Sequence, residues 1–213
     1  MTECPKVARG ICHDKARDVI CLLYRRGLKV EAQPEVGGLF SQLKSDGRYR
    51  PADVLVPASA SGGDKAQALD VVITDPTCKS SLEKLSHKEE LSAAAEAHKR
   101  KMQRYRRQLE DAGQHAELPF VKVPLAFETT GAMGRETQEW WESVLELERR
   151  ERGDTAEPSR RDMGLDHTWT ANSFSSFWLQ SISMAIARTQ AESVMMWIGK
   201  SQPVGEGHFV YRV

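Results

Sequence analysis

The sequence predicts an α/β fold: a helix, three strands, a second helix and a fourth strand around a mixed sheet, followed by C-terminal helices. Three observations predict it. Apolar residues recur at helical spacing at both ends of the chain. Short β-branched runs lie between turn signals. A stretch over 81–111 is rich in Ala, Glu, Lys, Arg and Leu and holds no Gly or Pro.

Residues 14–26 place Ala16, Val19, Ile20, Leu23 and Tyr24 on one helical stripe, and Gly27 supplies the stop. Residues 28–33 alternate like a strand that ends at Pro34, and Gly37-Gly38 and Asp46-Gly47 mark turns. Residues 52–57 and 68–74 are strand-like, and the polar SASGGDK between them suits antiparallel neighbours. The 81–111 stretch predicts one long helix. Residues 119–128 read as a strand interrupted by Pro124. Residues 135–152 predict an amphipathic helix bearing Trp140, Trp141, Val144 and Leu147. A polar linker is expected near 153–166. A final helix over 172–199 carries Phe174, Phe177, Trp178, Ile182, Ala185 and Ile186, whose spacing reads as core rather than as a binding platform. No internal repeat is visible.

With 213 residues, the chain is long enough for one full core. No apolar run approaches the ~20 residues that span a bilayer, and the N-terminus lacks a signal-peptide order. A soluble protein of nucleus or cytoplasm, without a membrane partner, is expected. The net charge of +0 argues against a generic polybasic binder of nucleic acid but leaves room for a local basic surface. Cys4, Cys12, Cys21 and Cys78 fit neither a complete zinc site nor a disulfide framework, so reduced, mostly buried thiols are expected. Cys4 with Cys12-His13 resembles no more than part of a zinc knuckle.

Asp53 and Asp70 carry the chemical argument. Each sits in an apolar strand, where a carboxylate is costly to bury without a partner. On neighbouring strands the two converge on one hard cation, Mg2+ or Mn2+, with water and phosphate completing its shell. Such a site polarises a phosphodiester and activates a water. The competing reading is that one Asp caps a turn while the other pairs with Arg50 or a lysine. Lys101 and Tyr105 share a helix face with Ala94 and His98. Around them Lys99, Arg100, Arg104, Arg106 and Arg107 form either a phosphate contact or a solvated face. Asp14 reads as an N-cap; a phosphohydrolase role for His13-Asp14 needs distant His and Asp ligands. Glycines between Glu128 and Gly134 suggest a turn into a helix, either a plain connection or one whose amides meet a phosphate. His167 and His208 show no ligand spacing.

The helix–three strands–helix–strand order is that of the PD-(D/E)XK, restriction-endonuclease-like nucleases. Arg50-Pro51-Ala52-Asp53, then Leu69-Asp70-Val71-Val72-Ile73, then Ala97, Lys101, Arg104 and Tyr105 resemble the endonuclease domain of site-specific non-LTR retrotransposons. That domain shows an RPD strand, an apolar strand with a second Asp and a KxxKY helix. Cys12-His13-Asp14, Pro119-Phe120, Glu128 to Gly134 and the final helical stretch are similar to tails of reverse-transcriptase-like open reading frames. The resemblance implies a restriction-endonuclease-like αβββαβ nuclease core over 1–134 and a helical extension over 135–213. It implies Asp53 and Asp70 as metal ligands and Lys101 as the catalytic lysine. It also implies DNA as partner and a reverse transcriptase in the parent polyprotein.

Three departures matter. Val72 stands where such nucleases carry a lysine, leaving a backbone carbonyl there as a possible metal ligand. Ala52 is inserted in the RPD motif. Arg104 replaces a lysine. Arg50, Lys99, Arg104 and Tyr105 are the expected nucleic-acid contacts. Beside a metal-dependent, nicking DNA endonuclease stand two alternatives: a catalytically inactive nucleic-acid-binding module on the same fold, and a helical protein-interaction module using the Trp-rich tail. A homodimer is left open.

Overall fold

In the computed structural model, residues 6–34, 52–61, 63–84, 88–111, 120–152 and 173–201 are described. The predicted linker, His167, His208, Cys4 and the glycine turns at 37–38 and 46–47 lie outside them. Among these residues the chain is mixed α/β, with a four-stranded sheet in the order β1-β2-β3-β4. The elements are α1 (Lys6–Leu22), which runs on into a wide π turn (Leu23–Gly27), then β1 (Gln33–Pro34), β2 (Val54–Val56), α2 (Ala58–Ser61) and β3 (Ala66–Thr74). They continue with α3 (Lys79–Glu83), α4 (Ser92–Asp111), β4 (Phe120–Glu128), α5 (Arg135–Arg152) and α6 (Phe174–Ser201). β1, β2 and β3 pair antiparallel, and β3 and β4 pair parallel across the α4 crossover.

The two faces of β3 explain the layering. Its odd-numbered side chains Leu69 and Val71 join Ile20, Leu23, Leu125, Phe127, Val144, Trp178 and Ile186 in one core. α1, α5 and α6 all contribute to it. On the other face Val72 packs against Ala94, Ala97 and Ala126, where the alanines let α4 approach closely. The aromatics of α6 are core as expected: Phe174, Phe177 and Trp178 are buried. Cys12 and Cys21 are buried and Cys78 is half-buried. No helix among the described residues is long and apolar enough to cross a membrane.

Four expectations need correction. α1 begins at least eight residues before 14, so Asp14 lies inside the helix and is no N-cap; its carboxylate instead takes Arg17 at 3.3 Å. Of the alternating run over 28–33 only Gln33 is in a strand, the two-residue β1. Lys29 adopts φ 56°, a left-handed conformation that breaks the strand as the chain leaves the π turn. The 81–111 stretch is two helices, not one. α3 ends at Glu83, and Leu91, at φ 58°, takes a left-handed conformation just before α4 that no Gly or Pro announces.

Pro124 does not interrupt β4, for a reason that register makes plain. In the parallel ladder the even-numbered residues of β4 turn their backbone groups away from β3: the amides of Ala126 and Glu128 go to Thr137 Oγ1 and the Ala132 carbonyl. Pro124 shares that direction, so its missing N–H costs no ladder bond. α5 closes this sheet edge, since the buried Thr137 hydroxyl also donates to the Ala126 carbonyl at 3.1 Å.

Gly27 is where α6 meets the π turn. A Cβ there would lie 2.9 Å from both Phe174 Cε2 and Trp178 Nε1. Both rings are buried, so neither has room to yield. Gly27→Ala is therefore expected to destabilise by about 1–3 kcal/mol, read as a lower urea midpoint. An unchanged midpoint would mean that α6 is not held against this turn.

Candidate metal centre

β2 pairs with β3 through Val54, Leu55 and Val56, opposite Leu69, Ala68 and Gln67. The ladder stops just before β2, where the Asp53 amide donates to the Leu69 carbonyl at 2.8 Å. The next β3 amide on this side is that of Val71. It donates at 2.7 Å to Asp53 Oδ2 rather than to backbone. The Asp53 carboxylate thus takes over the role of a strand where β2 leaves β3.

Asp70 lies between these residues and projects from the opposite face, toward α4. Lys101 of α4 reaches it, with Nζ 2.8 Å from Oδ1 and 3.1 Å from Oδ2. From α1, His13 Nε2 approaches Asp53 Oδ2 at 2.9 Å, while Nδ1 faces Asp14 Oδ1 at 3.2 Å. His13, Asp53 and Asp70 each offer a ligand atom, and these atoms all lie within 4.8 Å of one another. Two elements of the sheet and one helix on each face therefore meet at one point. The side chains are 28%, 16%, 13% and 27% exposed for His13, Asp53, Asp70 and Lys101, so solvent reaches a site that is nonetheless largely desolvated.

The electrostatics follow from that geometry. The hydrogen bond to Asp53 raises the His13 pKa above its ordinary value; burial opposes this, and the charges of Asp53 and Asp14 assist. Burial opposes ionisation of Asp53, but His13, Asp70 and the Val71 amide together hold it below the usual carboxylate range. Burial pushes Asp70 up to about 6; Lys101 resists this and the neighbouring Asp53 charge reinforces it. Of the two adjacent carboxylates, Asp70 is therefore the one that keeps a proton to the higher pH.

The donor set fits a divalent cation. Two carboxylates suit Mg2+ or Mn2+, and one imidazole favours the softer Mn2+ of the two. His13, Asp53 and Asp70 would hold it.

The sequence-predicted residues fare differently. Asp53, Asp70 and Lys101 come together. Val72 stands opposite Ala126 in the β3–β4 ladder. Strand alternation turns its carbonyl toward β4, as the Thr74 carbonyl, accepting from Thr129, is turned. The Val72 carbonyl thus points away from Asp53, and the backbone facing the site is that of Val71. Tyr105 is buried, its ring covered by Lys122 Nζ at 3.8 Å from the centroid, so it offers no face for stacking. Lys99 and Arg104 are exposed, and His98 faces Glu136 of α5. Arg50 lies outside the described residues. The amides of Glu128, Gly131 and Gly134 go to the carbonyls of Ala132, Glu128 and Ala126, so the turn over 128–134 is a plain connection.

Sequence reasoning missed His13 as a partner of the two acids, because the helix carrying it was expected to start one residue later. It also missed Lys122. Compared with known proteins, the chain matches no family model, no curated sequence and no solved structure.

A cation entering this site would displace protons from His13 and Asp70, whose pKa values are both raised. Mn2+ affinity, measured calorimetrically, is therefore expected to rise at least about tenfold between roughly pH 5 and pH 7.5, with proton release on binding. A pH-independent affinity would contradict this ligand set.

Proposed function

We propose that the chain is a metal-dependent DNA endonuclease with a restriction-endonuclease-like core, derived from a retroelement. The observation that carries this reading is the convergence of His13, Asp53 and Asp70 beside the Lys101 ammonium. The mixed four-stranded sheet supports it as well, with α1 before three antiparallel strands and α4 before the parallel β4, the short α2 and α3 being added to that order. The retroelement origin and a reverse transcriptase as polyprotein partner rest on the sequence resemblance.

When bound, a divalent cation neutralises charge on a phosphodiester and makes a water more acidic. Asp53 and Asp70 supply the anionic ligands, and the Val71 amide keeps Asp53 aimed. Lys101 reaches Asp70 from the helix, and so supplies from another element the charge that a lysine at position 72 would bring. Its ammonium carries three donors, of which Asp70 takes at most two. The third is placed to orient the attacking water or a phosphate oxygen as the water oxygen bonds to phosphorus and the P–O bond to the leaving strand breaks.

One observation favours a second reading, a DNA-binding module without catalysis. The close Lys101–Asp70 pair already neutralises a ligand, which suits a site that never takes a cation.

Conversion of supercoiled plasmid to open circle separates the two. With Mn2+ or Mg2+ the protein is expected to nick, and EDTA abolishes the reaction. Asp53→Ala and Asp70→Ala should each lose at least about 100-fold, and Lys101→Met about as much. Undiminished nicking by Asp70→Ala would overturn the assignment. A folded protein that binds plasmid but never nicks it would favour the second reading.

A further inference from the structure

β4 runs parallel to β3, and Ala68, Asp70 and Val72 stand opposite Lys122, Pro124 and Ala126. These even-numbered residues face α4. Lys122 therefore stands on the face of Asp70, on the neighbouring strand and one like-facing position away, about 6.6 Å along the chain. α4 lays Lys101, Arg104 and Tyr105 over the same rows.

The Lys122 ammonium is held in place. It lies 3.8 Å above the centre of the Tyr105 ring, in cation–π contact. That ring is buried, and its hydroxyl makes no hydrogen bond among the described residues. The Tyr105 ring therefore acts as a floor beneath Lys122. Burial pushes Lys122 down to about 8, with Asp70 opposing and the charges of Lys101 and Arg104 adding to the effect.

We infer that Lys122, with the exposed Arg104 nearby and Tyr105 as floor, holds a backbone phosphate of the nucleic acid next to the one that a cation on Asp53 and Asp70 would take. This rests on the endonuclease reading of the same site. It makes Lys122 a substrate-contacting group, and it gives the buried Tyr105 a role that stacking on bases would not. A lysine acts here as a point charge on a phosphate oxygen, so the contact adds affinity without reading sequence.

The test uses a short labelled DNA duplex in EDTA, with binding followed across a salt titration, and plasmid nicking with Mn2+. Lys122→Met keeps a stem over Tyr105 and removes the charge; Lys122→Gln is a second uncharged variant in case the first is unstable, and thermal melts verify folding. Lys122→Arg restores the charge. Either uncharged variant is expected to bind roughly tenfold more weakly at low salt and to lower the salt slope by about 1, while Lys122→Arg keeps both near wild type. In the nicking assay the uncharged variants should raise KM more than they lower kcat.

An unchanged salt slope in the uncharged variants would overturn the inference, as would Lys122→Arg matching them, because both mean that charge at this position does not meet phosphate. A wild-type protein that binds no duplex overturns it too. A wild-type protein that binds but does not nick defeats the endonuclease reading alone, and the salt slope still decides the role of Lys122.

Discussion

Where β2 leaves β3, the Val71 amide faces a gap in the sheet. An unpaired buried N–H costs about 1–3 kcal/mol, and the Asp53 carboxylate removes that cost by accepting it at 2.7 Å. This contact fixes the rest. It turns Asp53 toward the gap, brings it near Asp70 on the adjacent residue of β3, and leaves it open to His13 from α1. A carboxylate that substitutes for backbone is hard to move, so the site is preorganised by the same bond that completes the sheet.

The remaining groups are delivered by helices on opposite faces, and each helix is positioned by packing rather than by the site. α4 lies close to the sheet because Ala94, Ala97 and Ala126 are small, and this brings Lys101 within reach of Asp70. α1 is pressed onto the other face by α6: Ile20 and Leu23 share a core with Trp178, Ile182 and Ile186, and the Cys12 thiol lies 3.8 Å from the Ile186 carbonyl. The C-terminal helix thus braces the helix that presents His13. The close approach at Gly27 is part of that brace.

Much of this frame was legible in the sequence. The β-branched runs around Asp53 and Asp70 mark strands, their alternation separates the two carboxylates from the core, and the spacing of Lys101 and Tyr105 places both on one face of α4. What was not legible depends on backbone turns and partners distant in sequence. Lys29 and Leu91 take left-handed conformations that their side chains do not announce, which hides the short β1 and the α3–α4 break. Pro124 reads as a strand breaker until its position on an outward-facing edge is known. His13 looks like a residue before a helix, and only the packing of α1 across the β2–β3 gap makes it a partner of Asp53. Lys122 falls on the face of Asp70 because β4 is parallel to β3 in one particular register, which no local pattern encodes.

The most direct test of the proposed metal centre is anomalous diffraction from a crystal of this protein soaked in Mn2+. The account predicts a peak bounded by His13 Nε2, Asp53 and Asp70, at bonding distances of about 2–2.5 Å, with the imidazole shifted from the Asp53 oxygen to the cation. A well-ordered soaked crystal with no peak there, and His13 still donating to Asp53, would contradict it.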